Sequence, residues 1–308
     1  MANEKDIAER VLENHNDVFA DIVNVLLFGG KPLVQPQDLS NAQLTSQIKL
    51  DNSIHEQERD IAKYWNGSEV RIAFYGFENQ TKQDRDMPLR VISYDGATYK
   101  QQVNAHIAQE KAHAARSPIY PAITLVLYFG QGRWTQPKSL LGCMQTDIPE
   151  ELKPFLQDYK INVFEIPMLS PDTVELFQSD FKVVADFFVQ QRINKQYVPS
   201  AQKLIHVDEV MKLFSAITRD PSFEAALKDV EAEGKESIAM CDIMQAYKNA
   251  GKQEGRQEGR QEGRLEMLIA LVHDGLLSLT DAVSRSGLQE ADFITAIQKA
   301  YPDFVFPA

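Results

Sequence analysis

The sequence predicts an α/β protein: a mixed sheet within the first 170 residues, followed by a mainly helical C-terminal region. Three observations carry that expectation. Residues 70–77 and 122–129 are rich in β-branched and aromatic side chains and contain no proline, a composition that suits buried strands. Residues 91–109 between them read as a helix. After about residue 170, apolar positions recur at spacings of three and four with Glu and Lys between them, the pattern of amphipathic helices. The chain divides on this reading into a core at 1–170, a helical region at 171–250, a repeat segment at 251–266 and a small helical module at 267–308.

The first element is a helix over residues 6–28, where Ile7, Val11, Phe19, Ile22, Val23, Leu26 and Leu27 recur near helical spacing. Gly29-Gly30 stops it, and an irregular connection is expected up to about residue 60. Asp17 and Asp21 lie one turn apart on this helix and share a face. Gly29-Gly30-Lys31 lacks the spacing and the following Ser or Thr of a phosphate loop. If the strand at 70–77 continues to Gln80, alternation places Val70, Ile72, Phe74, Glu78 and Gln80 on one face, with Asn79 on the other. Asn66-Gly67 is a two-residue hairpin signal. A hairpin closed there sets Asp60 opposite Ala73, away from Glu78, so a site uniting Asp60 and Glu78 requires a longer loop, a bulge or splayed strands.

The strand at 122–129 is nearly all apolar and reads as central in the sheet. Gly130-Gln131-Gly132 turns it, Trp134 is expected to pack the sheet edge, and a third strand follows at 161–166. Helices are expected at 174–193, 207–218 and 221–250. Next comes a four-residue repeat of Gly, Lys or Arg, Gln and Glu from Gly251 to Glu266. On a helix each repeat drifts by about 40°, and glycine costs about 1 kcal/mol per site against alanine. The segment is therefore either a flexible linker or a helix stabilised by another chain. Amphipathic pieces at 265–273, 279–284 and 291–299 close the chain. The middle pair has a helix-turn-helix outline, but Asp281, Glu290 and Asp292 favour a packing or dimer module over DNA reading.

The chemistry is carried by Asp60 and by Glu78-Asn79-Gln80. An acid followed by a strand that delivers Glu-x-polar is how metal-dependent nucleases hold a divalent ion against a scissile phosphate. Asp60 and Glu78 supply carboxylates, Asn79 a backbone carbonyl, and Gln80 an amide able to orient a water; magnesium is satisfied by few carboxylates plus waters and phosphate oxygens. Arg90 is the candidate cation for phosphate, and Lys82, Arg85, Lys100, Lys111 and Arg116 either add local positive charge or form a solvated face. A formal charge of −12 opposes a broad nucleic-acid surface, so DNA contact rests on the metal and local cations.

Cys143 and Cys241 alone exclude a disulfide framework, and no apolar run reaches the ~20 residues of a membrane span. With no signal-peptide pattern at the N-terminus, the reducing cytoplasm is expected. The six histidines, His15, His55, His106, His113, His206 and His273, are scattered and read as structural, and no G-x-S-x-G nucleophile elbow is present.

Ordered pieces extend this reading. They are residues 16–24 (NDVFADIVN), 35–39 (QPQDL), Arg59-Asp60, Glu78-Asn79-Gln80, residues 87–95 (MPLRVISYD) with Tyr99 and Gln102, and residues 121–128 (PAITLVLY) with Trp134. Over roughly 120 residues they resemble the YhgA-like Rpn family of recombination-promoting, transposase-like nucleases within the PD-(D/E)xK superfamily. The resemblance implies a restriction-endonuclease-like core and metal-dependent DNA cleavage, with Asp60 and Glu78 as metal ligands and Mg²⁺, or Mn²⁺ in its place, as the ion. Asp21, on the first core helix, stands where an acid completes the superfamily's metal site. Gln80 occupies the position usually held by lysine. The implied setting is mobile-element recombination or phage defence in bacteria. A homo-oligomer, a dimer above all, is expected through the helical C-terminal region. The competing reading is a non-catalytic nuclease-fold scaffold that recruits partners through that region.

Overall fold

The computed structural model describes residues 11–42, 45–50, 53–58, 61–66, 70–76, 83–130, 132–144, 146–218, 220–232, 234 and 237–302, with backbone alone at 45–50, 53–58 and 70–76 and without the Glu254 side chain. The chain forms two compact units, residues 1–244 and 245–308.

The first unit is α/β. Helix α1 spans Asn16–Phe28, and its buried face carries Val18, Phe19, Ala20, Ile22, Val23 and Val25. Gly29, with φ of 61°, ends it in the left-handed conformation that favours glycine. Asn24 then fixes the returning chain, its Nδ2 donating to Val34 O at 2.9 Å and its Oδ1 accepting from Val34 N at 2.8 Å. Strands β1 (Leu39–Asn41), β2 (Thr45–Leu50), β3 (Ser53–Glu58), β4 (Ile61–Trp65) and β5 (Val70–Gly76) follow. The connection expected to be irregular thus contains β1 and the β2–β3 antiparallel hairpin. Its alternation of polar and apolar residues is too weak to mark strands before their partners are known.

Helix α2 (Met87–Lys111) crosses from β5 to β6 (Ala122–Tyr128), and β7 is Asn162–Glu165. The five-stranded sheet has the order β1-β4-β5-β6-β7. Strands β1, β4 and β5 are joined antiparallel, whereas β5, β6 and β7 run parallel. The sheet is therefore mixed, as expected. Parallel neighbours need a crossover, and α2 supplies the one between β5 and β6. Strand β6 lies inside the sheet with Leu125, Val126, Leu127 and Tyr128 buried, which explains its unbroken apolar run. Met87, Val91 and Tyr94 of α2 pack with Val126, Tyr128, Trp134 and Ile161. Trp134 meets Tyr128 edge-on at 5.2 Å between ring centroids. The buried Asp95 carboxylate receives hydrogen bonds from Thr124 Oγ1 at 2.7 Å and from the Tyr159 hydroxyl, tying α2 to β6 and to the chain entering β7.

Two expectations are corrected here. Helix α2 begins at Met87 rather than 91, because Pro88 is tolerated in a first turn, where its missing N–H has no intrahelical role. The hairpin between β4 and β5 does not close on Asn66-Gly67: Trp65 pairs with Val70 and Ala62 with Ala73, leaving residues 66–69 as a four-residue connection.

Helices α3 (Phe181–Asn194), α4 (Val207–Thr218) and α5 (Ser222–Ala232) complete the first unit, with Phe187 and Phe214 in edge contact at 4.9 Å. The helix expected over 221–250 is divided, with α5 ending at Ala232 and α6 starting at Met240. Helix α6 (Met240–His273) carries the whole repeat and crosses the boundary between the units. In the second unit its last turns, with Leu268, Ile269 and Val272, pack against Ala282 of α7 (Leu279–Ser286) and Phe293 and Ile297 of α8 (Glu290–Ala300). Ser278 caps α7 by accepting from Asp281 N at 3.1 Å.

Candidate functional site

Two helix N-termini of the first unit meet, and each brings a histidine and an acid. His15 sits in extended backbone just before α1, and Asp17 lies in the first turn of that helix. His206 immediately precedes α4, whose first turn contains Glu209. His206 Nε2 lies 3.0 and 2.9 Å from the Asp17 Oδ1 and Oδ2 atoms. The rings of His15 and His206 stack with centroids 3.7 Å apart, and His15 Nε2 is 3.5 Å from Glu209 Oε1. One ligand atom from each of His15, Asp17 and His206 can be chosen so that all lie within 4.8 Å of one another. Among the described residues this is a possible metal-binding triad. The acids also sit well for the helices, since negative charge in a first turn complements the helix dipole.

Neighbouring carboxylates hold the cluster in place. Asp180, almost wholly buried, accepts from Ile205 N at 2.9 Å and from His206 N at 2.5 Å, which fixes the backbone carrying the histidine. Asp21 Oδ2 accepts from Gln178 N at 2.9 Å and from both N and Oγ of Ser179 at 2.7 Å. Burial pushes both carboxyls above the usual carboxylate value, against the pull of their hydrogen bonds; the charge of Asp17 adds to the rise at each.

The residues singled out in the sequence do not come together in one place among the described residues. Asp60, Glu78, Gln80 and Lys82 lie outside the described residues. Asp21 is committed through Oδ2 to the turn before α3, while Asp17, one helical turn away, serves His206. Arg90 pairs with Asp84 at 2.9 Å, and Arg116 pairs with Glu110. Arg85, Lys100 and Lys111 are exposed. The segment ahead of α2 is pinned by Gln83, whose amide nitrogen donates to Arg133 O at 2.6 Å and whose oxygen accepts from Thr135 Oγ1 at 3.0 Å and Gln136 N at 3.2 Å.

Lys63 was not singled out either. It is 1 % exposed on β4, its ammonium donating to Asn41 Oδ1 at 2.7 Å and to Asn14 Oδ1 at 3.3 Å, and burial lowers its pKa. The histidine cluster was missed for a different reason. His15-x-Asp17 and His206-x-x-Glu209 are each visible locally, but nothing in a single sequence joins positions 189 residues apart.

The sequence profile of the family described as putative transposase, YhgA-like, matches residues 30–222. The chain belongs to this family. The YhgA-like match runs from the end of α1 to the start of α5 and includes β1 to β7, Asp60, Glu78, Gln80 and Arg90. His206 lies within it and His15 before it. No curated protein and no solved structure matches the chain. Membership in the YhgA-like family supports a recombination-related nuclease role in general terms. Among the described residues no helix is long and apolar enough to cross a membrane.

Proposed function

We propose that the chain is a divalent-metal-dependent DNA endonuclease with a restriction-endonuclease-like core, acting in the cytoplasm in mobile-element recombination or phage defence. The observation that carries this reading is the family match, within which Asp60, Glu78, Gln80 and Arg90 all fall; the register of β4 and β5 gives the frame around it. Ile61 pairs with Phe74, so the start of β4 and the end of β5 are neighbours; in sequence Asp60 precedes Ile61, and Glu78 follows Gly76 by two residues. The parallel β5-α2-β6 unit beside that antiparallel pair supports the same reading.

The donor set fits a hard cation. The Asp60 and Glu78 carboxylates with the Asn79 carbonyl offer oxygen alone, which suits Mg²⁺ and its substitute Mn²⁺. An ion held there supplies the Lewis acidity that phosphodiester hydrolysis at neutral pH requires. Gln80 orients the attacking water through its amide. Arg90 stabilises charge on the phosphate once it exchanges its Asp84 partner for substrate. Asp21 Oδ1 is the oxygen that residue has left to offer, because Oδ2 is held by three donors. DNA is the partner, and the helical C-terminal region is the proposed surface for a homodimer.

A second reading rests on Gln80 and on the formal charge of −12: a nuclease-fold scaffold without turnover. Supercoiled plasmid with Mg²⁺ or Mn²⁺ separates the two. Nicking or linearisation by the parent that disappears in Glu78→Ala supports the nuclease. A folded parent that leaves plasmid and single-stranded DNA intact with both metals supports the scaffold.

A further inference from the structure

We propose that His15, Asp17 and His206, with Glu209 as the fourth donor, form a binding site for a zinc-class divalent ion, separate from the all-oxygen set of Asp60 and Glu78. Donor chemistry sets the class of ion. Two imidazoles and two carboxylates suit zinc and its transition-metal neighbours, whereas magnesium is bound through oxygen and keeps its waters.

The geometry is near closure. Zinc bonds of about 2.0–2.2 Å to nitrogen and oxygen place tetrahedral ligands roughly 3.3–3.6 Å apart. His206 Nε2 and Asp17 Oδ2 stand 2.9 Å apart, His15 Nε2 and Glu209 Oε1 stand 3.5 Å apart, and the triad's atoms lie within 4.8 Å of one another. Glu209 stands beside this triad through His15 and completes the shell by turning its side chain toward the ion. Each acid already stands against one of the imidazoles, Asp17 against His206 and Glu209 against His15, so nitrogen and oxygen donors are paired before an ion arrives. The support is already in place, since Asp180 fixes the His206 backbone before any ion arrives. Side-chain exposures of 15 % for His206 and 36 % for Asp17 leave a route in from solvent.

Bound there, the ion clamps the start of α1 to the start of α4, joining residues 189 positions apart. Its role is structural, and its four donors are distinct from Asp60, Glu78, Gln80 and Arg90, on which cleavage is proposed to rest.

The test uses the full-length chain, stripped with EDTA, dialysed and titrated with Zn²⁺. The parent is expected to take up one tightly held zinc per chain and to melt at a higher temperature with it, because a ligand bound only by the folded state must stabilise it. His15→Gln and His206→Gln are each expected to bind zinc at least 100-fold more weakly, while Glu78→Ala binds it as the parent does. Cobalt substitution of the parent provides a readout independent of variant folding: a tetrahedral visible spectrum and X-ray absorption showing two imidazoles per ion are expected. A parent that takes up no zinc, zinc uptake unchanged in both folded histidine variants, or cobalt ligation without imidazole would overturn the proposal.

Discussion

Asp21→Ala tests how the first unit is held together, because Asp21 binds the turn that launches α3 to helix α1. The substitution strands three donors: Gln178 N, Ser179 N and Ser179 Oγ, at 2.9, 2.7 and 2.7 Å from the same oxygen. Hydrogen bonds to a charged group are worth about 1.5–3 kcal/mol each, so the gross loss is roughly 5–9 kcal/mol. Several terms shrink it. Burial raises the Asp21 carboxyl despite those bonds, so removing the carboxylate also removes a desolvation penalty. The Ser179 hydroxyl can turn elsewhere, and the Gln178 N–H is only part-buried. The Ser179 N–H stays buried without its acceptor. A net loss of about 3 kcal/mol remains, comparable to breaking a buried network and equivalent to roughly 6–12 °C for a unit of this size. Asp21→Asn keeps a carbonyl oxygen in place and loses the charge, so its expected cost is under about 1 kcal/mol. Both tryptophans, Trp65 and Trp134, belong to the first unit, so urea unfolding followed by tryptophan fluorescence in EDTA reports that unit alone. An Asp21→Ala midpoint within about 0.5 kcal/mol of the parent would refute the reasoning.

Three further outcomes are expected. The folded-state pKa values of Asp21 and Asp180 are raised from 3.8, so the folded chain binds their protons more readily; their contribution is complete below 3.8 and is lost as pH rises through the folded values. Asp180→Asn should therefore flatten the fall in unfolding free energy as pH rises above 3.8, and an unchanged slope would contradict the shift. Lys63 is the mirror case: its folded value lies below 10.5, so stability rises with pH from that value up to 10.5, and Lys63→Met should hold or gain stability at neutral pH and lose that rise. A Met variant several kcal/mol weaker would mean that the ammonium is a needed donor to Asn41. Finally, a Cβ at Gly255 or Gly259 meets open space, so each change to alanine should strengthen the exposed repeat of α6 by about 1 kcal/mol, seen as a later loss of far-UV helicity on heating. A variant that loses helicity would argue against one continuous helix through the repeat.

The repeat also shows where a local reading stops. Four glycines at four-residue spacing left a linker and a supported helix equally open, and the chain adopts a single helix from Met240 to His273 whose last turns are anchored by Phe293 and Ile297. Helical stability of such a segment comes from packing at its ends rather than from propensity along its length. The β2–β3 hairpin was missed because strands are defined by their partners. Hairpin closure was misplaced for the same reason, since four residues rather than two separate Trp65 from Val70.

The sequence by itself determined the α/β class, the strands beginning at Val70 and Ala122, the family, and Asp60, Glu78, Gln80 and Arg90 as the residues on which cleavage is proposed to rest. Each of these is written in local pattern or in an ordered motif. The tertiary structure alone decided that Asp21 serves Ser179, that Lys63 is buried against two asparagines, and that His15 stacks on His206 while Asp17 holds the latter's Nε2. Those outcomes depend on which distant segments pack together: burial and the meeting of two helix ends are properties of the folded chain, and no periodicity or spacing within one segment encodes them.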